Sequence, residues 1–273
     1  MLGRVSIHVM HKGSPTMMLL VLGSIASTAG QEVIDGTSLE PRDRPLRTYT
    51  LPRSGHATVA QMVGAEHTGA TQWDAGHALA DYIERTAVGA ASCSTDGCYA
   101  SSKYANRTAL ELGAGAGGLV SIALIRAGAN VLSTDGDEGV LEFLNLNIKG
   151  NTRGAPGQLL GAERLCWGDV DAIDAVRERL ALDLVVMSDV VFHTIDTAAL
   201  VEALAKLAAA EPPPEIIVAH TWRFVREDED FLHAVDAVFD RQTVPAEDLH
   251  PRFREGRGGD TSILRLVPRR RPP

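Results

Sequence analysis

Residues 108–137, TALELGAGAGGLVSIALIRAGANVLSTDGD, combine the two residue types that most directly suggest chemistry in this chain. A short apolar run leads into a turn carrying Gly113, Gly115, Gly117 and Gly118. An apolar helical stretch and a second apolar run follow, closing on Asp135. Glycine lets the backbone turn sharply and approach a ligand without side-chain obstruction. The next helix presents free N–H groups at its start. A carboxylate about 20 residues beyond the turn is placed to accept hydroxyl hydrogen bonds from a ribose. The pattern predicts a nucleotide-type ligand. A glycine-rich but otherwise ordinary turn is the plainer alternative, in a chain with 26 glycines.

Other candidates fall at the ends of further apolar runs. CWGD at 166–169 carries Trp167 and Asp169. SDVVFH at 188–193 carries Ser188, Asp189, Phe192 and His193, and Trp73 precedes the glycine turn. In an open α/β sheet, ligands lie outside the C-terminal ends of the strands, so these groups should share one crevice. The sequence has no GxSxG nucleophile elbow and no GxxxxGK[ST] phosphate loop. Acids and aromatics without a basic cluster argue against a polyphosphate. They suit a ligand with a ribose, an adenine and a positive centre.

The elements that must position these residues follow from periodicity. Helical spacing of Leu79, Tyr82 and Ile83 behind Trp73 predicts an amphipathic helix before the core. Helices are also expected over 138–149, 172–180, 197–210 and 227–239. Strands are expected over 58–63, 159–166, 182–187, 215–219 and 261–267. Prolines and charges over 35–56 read as a linker, 88–107 as a flexible loop, and 255–260 as a polar turn. The alternation predicts an open α/β sheet with helices on both faces. The expected organisation is an extension over 1–40, a lead-in with first helix and loop over 41–107, a core over 108–268 and a basic tail over 269–273.

Composition sets limits. A 273-residue chain of 29.1 kDa fits one large domain with extensions. With 26 basic and 35 acidic side chains, its formal charge of −9 argues against nucleic-acid binding. Cys93, Cys98 and Cys166 cannot build a disulfide framework. No His or further Cys completes a metal cluster around them, so no metal is expected. Residues 1–31 pair a basic head with a ten-residue apolar segment, resembling a weak signal or transit sequence. The alternative is an extension without packed structure. The apolar segment is too short to span a bilayer comfortably, so no membrane association is expected.

These landmarks together resemble the seven-stranded S-adenosylmethionine-dependent methyltransferases, in the branch of small protein-lysine methyltransferases and nicotinamide N-methyltransferase-like proteins. ELGAGAG at 111–117 is similar to the family's first motif, STD at 133–135 to its ribose-binding acid, and TQWDAG at 71–76 to its tryptophan segment. LNLNIKGN at 144–151 is similar to its paired-asparagine helix. CWGD and SDVVF match the segments after strands three and four. HTWR at 220–223, followed by Asp230 and Phe231, is similar to the stretch after strand five, without the second His and the Pro of close relatives.

The resemblance implies a doubly wound, mostly parallel seven-stranded sheet with one antiparallel strand, and S-adenosylmethionine as cofactor. It implies that Gly113, Gly115 and Gly117 approach the methionine part, Asp135 takes the ribose hydroxyls and Trp167 packs by the adenine. Trp73 closes the pocket near the sulfonium. Glu111 and Ser188 join the cofactor-binding set as members of their motifs. Asp189 and Phe192 face the acceptor nitrogen, Asp189 as an orienting group and not a general base. The implied acceptor is a protein lysine or terminal amine, on a translation factor or another abundant protein. Alternatives are a small nicotinamide-like amine and a silent cofactor-binding scaffold. A monomer is expected, in the cytoplasm and also the nucleus. A dinucleotide oxidoreductase would share the glycine spacing, but not CWGD and SDVVF.

Overall fold

The computed structural model of the protein describes residues 43–65, 68–94, 97–254 and 261–269. The extension over 1–40, the turn at 255–260 and the end of the basic tail lie outside these residues.

The described chain opens with a hairpin, β1 (Leu46–Leu51) and β2 (Gly55–Ala60), paired from Leu46 opposite Ala60 to Leu51 opposite Gly55. This corrects the expected linker over 35–56. Pro45 precedes β1 and Pro52 lies in the turn, so the prolines frame the strands instead of interrupting them. Helix α1 (Asp74–Thr86) follows a single 3₁₀ turn, Thr68–Ala70. A second hairpin, β3 (Val88–Ser94) and β4 (Gly97–Ser102), replaces the expected loop, with Cys93 opposite Cys98. Its run of Gly, Ala and Ser carries no hydrophobic alternation, yet backbone pairing needs none.

The core then alternates strand and helix: β5 (Thr108–Leu112), α2 (Leu119–Arg126), β6 (Asn130–Asp135), α3 (Leu141–Asn151), β7 (Gln158–Arg164), α4 (Val170–Arg179), β8 (Leu184–Ser188), α5 (Thr197–Leu207), β9 (Glu215–Thr221) and α6 (Val225–Asp236). Strand β10 (Phe239–Thr243), the short helix α7 (Pro251–Arg254) and β11 (Thr261–Pro268) complete it. The helix expected over 227–239 therefore stops earlier, and buried Phe239 opens an edge strand. After Phe239 that strand is exposed at every residue, so no alternating pattern betrays it.

The main sheet has seven strands in the order β10-β11-β9-β8-β5-β6-β7. Its only antiparallel member is β11, which pairs antiparallel with both β9 and β10. The expected fold class is borne out. The central strands are buried almost throughout, and their successive side chains go to opposite faces, as the pleat requires. Ala109, Leu184, Val186, Ile217 and Ala219 pack towards α1 and α2. Leu110, Leu112, Val185, Met187, Ile216 and Val218 pack towards α4, α5 and α6. Both faces are covered, which is why these strands read as near-continuous apolar runs. Their C-terminal ends all open on one side, between the two helical layers.

Candidate active site

The turn after β5 is held in the left-handed region, with φ of +66° at Gly113 and +61° at Gly115. Space is as restrictive as torsion. A Cβ on Gly113 would meet Val190 at 2.8 Å, and one on Gly115 would meet the Gly69 carbonyl at 2.9 Å. The 3₁₀ turn before α1 thus lies directly on the glycine turn, and the Ala116 N–H donates to the Gly69 carbonyl at 2.7 Å. Asp135, ending β6, faces the same opening. Its Oδ2 accepts from the Gly115 N–H at 2.8 Å and its Oδ1 from the Asp137 N–H at 2.9 Å. Each oxygen retains a lone-pair direction for a hydroxyl donor. Burial pushes this carboxyl above its usual range, against the pull of those amides.

Two expected ligand residues stand away from the opening. Glu111 is fully buried beneath the turn, where one carboxylate oxygen accepts from the Ser121 N–H at 3.0 Å and from the Ser121 hydroxyl. It braces the first turn of α2 and does not line the crevice. Desolvation pushes its pKa up to about 7. Gly117 faces inward, where a Cβ would come 2.3 Å from Gln72 Oε1. It leaves room for Gln72, which accepts from the Leu119 N–H at 3.4 Å at the start of α2. The paired asparagines also divide. Asn147 is buried and braces: its amide oxygen accepts from the Ala60 N–H at 2.8 Å, and its nitrogen donates to the Ala60 and Ala116 carbonyls.

The remaining candidates converge. Trp73, Gly113, Gly115, Asp135, Trp167, Ser188, Asp189 and Phe192 line one crevice of about 650 Å³, within the range of small-molecule sites. The glycine turn lines it together with Asp135 and Trp167 from the β6 and β7 ends and Ser188, Asp189 and Phe192 from the β8 end. Trp73 stands at the rim, 40% exposed, with its indole N–H donating to the Thr68 carbonyl at 2.9 Å. Trp167 lies beside Gly113, its ring 3.4 Å from where a Cβ would sit. Asp169 instead caps α4, accepting from the Ala172 N–H at 3.0 Å.

Asp189 is held unusually. It takes φ of +57° without being glycine, anchored by its N–H to the Ala219 carbonyl at 2.9 Å. Its carboxylate is paired by both guanidinium nitrogens of Arg223. Burial raises the Asp189 pKa and Arg223 pulls it back down. Arg223 is a residue sequence reasoning passed over. HTWR was noted, but only the tertiary fold sets the loop after β9 against the loop after β8. His193, whose nearest partner is Glu227 at 3.1 Å, lies outside the crevice wall. Gly69, Gln72 and Ile195 also line that wall, and nothing in their type marks a ligand site. Among the described residues, no group of His, Cys, Asp and Glu could hold a metal ion. A crevice lined by Asp135 and Asp137 after β6 and by Asp189 and Asp196 after β8, with aromatic and apolar side chains between, can bind a ribose-bearing ligand beside a second, nitrogenous one.

The chain is similar to known proteins over much of its length. A family described as lysine methyltransferase matches residues 56–238. The human protein-lysine N-methyltransferase EEF2KMT is 31% identical over 192 residues, covering 65% of this chain and 53% of its own. The protein N-terminal and lysine N-methyltransferase EFM7 of Cryptococcus neoformans is 35% identical over 105 residues, covering 36% of this chain and 34% of its own. The chain thus spans about half the length, or less, of these curated relatives. Among solved structures, the T. thermophilus 16S rRNA N2 G1207 methyltransferase RsmC aligns with a TM-score of 0.48 at 19% identity, over 84% of this chain and 52% of its own. With more than half of its residues matched by the family, the chain belongs to the lysine methyltransferases.

Proposed function

We propose that the protein transfers a methyl group from S-adenosylmethionine to the nitrogen of a protein lysine or terminal amine. The observation that carries this reading is the shared crevice: a ribose-type acid at Asp135 and an acceptor-type Asp189 and Phe192, separated by a glycine turn open to ligand. Gly113 and Gly115 would run beside the methionine part, Asp135 would accept from the ribose hydroxyls, and Trp167 would lie against the adenine. The two curated relatives, named as protein N-methyltransferases, support a protein acceptor.

The transfer needs no covalent enzyme intermediate. Bound S-adenosylmethionine would supply the methyl carbon, to which the lone pair of a neutral amine would bond as the carbon–sulfur bond broke, leaving S-adenosylhomocysteine and an ammonium that would pass its proton to water. The chain's part is to align donor and acceptor and to exclude water. Aromatic faces shelter the positive charge that passes from sulfur to nitrogen. A partly apolar site lowers the pKa of an entering amine by desolvation.

Incubation with methyl-labelled S-adenosylmethionine and a cell extract tests the reading. Label is expected in protein; label confined to small molecules would replace the acceptor class. Asp189→Asn combined with Phe192→Ala should abolish turnover while cofactor affinity stays within about threefold. A full-speed double variant would remove both residues from the acceptor side.

A further inference from the structure

A cation, Arg223, lies against the acceptor side of the crevice, beside the wall residues Asp189 and Trp73. The Asp189 side chain is 2% exposed and that of Arg223 31%, so the guanidinium lies over the carboxylate and shields it from water. The same guanidinium carbon sits 5.4 Å from the centre of the Trp73 ring and 5.8 Å from that of Phe224. Carboxylate and aromatic faces form a seat for a cation, and Arg223 occupies it.

Its placement is built, not incidental. Asp228, at the start of α6, accepts from the backbone N–H groups of Arg223 and Phe224 at 2.8 Å each. Asp228 is itself buried, with His220 Nε2 3.1 Å from its other oxygen, although the pair forms no hydrogen bond of good geometry. Asp196, also on the crevice wall, is used at the start of α5, where it accepts from the Ala199 N–H at 3.0 Å, and the acids just outside the wall face cations or a histidine. Asp74 lies 3.6 Å from Arg47 and 3.8 Å from Arg252, and Glu227 lies 3.1 Å from His193. Asp189 is thus the acid at the crevice wall that Arg223 neutralises.

We propose that Arg223 is a specificity-determining residue: by pairing with Asp189 it makes the acceptor seat select a neutral amine over its protonated form. The inference rests on the methyl-transfer reading. A buried, unpaired carboxylate would attract an ammonium and stabilise it, holding the acceptor in the form that has no lone pair to attack with. The paired carboxylate carries no net charge to offer. Arg223 does not touch the reacting atoms in this account. It acts through Asp189.

A pair of lysine side-chain mimics separates charge from shape: n-butylammonium, and 1-butanol as its neutral counterpart. Their dissociation constants would be measured by NMR at pH 7.5 on the full chain loaded with S-adenosylhomocysteine. Arg223→Gln should tighten n-butylammonium at least tenfold and leave 1-butanol within threefold. Asp189→Asn added to it should return the ratio to the wild-type value. Asparagine tolerates the left-handed backbone at position 189, and Arg223→Lys, which keeps a cation, should behave as wild type. An unchanged ratio in Arg223→Gln overturns the proposal, as does a cation preference that survives in the double variant, or no binding of either probe to any variant. Failure of S-adenosylhomocysteine to bind the wild-type protein would remove the methyl-transfer reading and this inference with it. Normal loading with an unchanged ratio would remove this inference alone.

Discussion

Asp135 and Glu111 sit on neighbouring strands, and their surroundings assign them opposite tasks. Asp135 spends one lone pair of each oxygen on a backbone amide and turns the rest to the crevice. Hydrogen bonds to a charged acceptor contribute roughly 1.5–3 kcal/mol each. Asp135→Ala should therefore weaken S-adenosylmethionine at least 10-fold, measured by calorimetry, with little change in fold. Glu111 has no such outlet. Its pKa stands at about 7, above the ordinary value of 4.5, because burial disfavours the charge. The folded protein then holds a proton that the unfolded chain has lost between those values, so stability falls as pH rises through that window. The contribution is about 3 kcal/mol at most. In urea titrations from pH 4.5 to 8, Glu111→Gln should lose most of this slope. A smaller slope of the same sign should remain from Asp135 and Asp189, whose carboxyls burial also raises. The acid-rich motif was legible in the sequence, but the inward turn of Glu111 was not. Strand alternation depends on which face is covered, and the resemblance grouped Glu111 with its motif.

At the scale of elements, the crevice depends on parts that precede the core in the chain. The Thr68–Ala70 turn rests on the glycine turn, and Gln72 fills the space that Gly117 leaves. Asn147 on α3 ties β2 to the glycine turn through Ala60 and Ala116. Asn151, one helical turn on, exchanges both hydrogen bonds with Thr58, its oxygen accepting at 3.0 Å and its nitrogen donating at 2.8 Å. Two asparagines thus offer β2 the pairing that a neighbouring strand would provide. Asn147→Ala would leave a buried N–H and two carbonyls without this partner, costing roughly 2–4 kcal/mol. For a chain of this size that is a fall of about 5–15 °C in Tm, read by calorimetry. Helix spans were close to their expected places because apolar periodicity marks them. Strand β1, the β3–β4 hairpin and β10 were missed for a common reason, and β2 was expected only in part, over 58–63. Prolines, small residues and an exposed edge give no period for a strand, while their backbone groups still find partners.

For the whole molecule, the described residues bring strand ends from across the sequence to one opening between two helical layers. A ligand that binds only this folded arrangement stabilises it by mass action, about 2.7 kcal/mol at 100 times its Kd. S-adenosylmethionine should therefore raise the Tm of the full chain by several degrees, and Asp135→Ala should cancel about half of that rise or more at the same concentration. The sequence by itself determined the class of sheet, the order of its central elements, the glycine turn and most of the crevice wall. Those properties follow from local torsion, hydrophobic period and the rule that strand ends share a side. Only the tertiary structure decided that Glu111 and Gly117 serve the scaffold, and that Arg223 covers Asp189. The contacts responsible join residues far apart in the chain, and no local pattern records which of two loops will face the other once both faces of the sheet are buried.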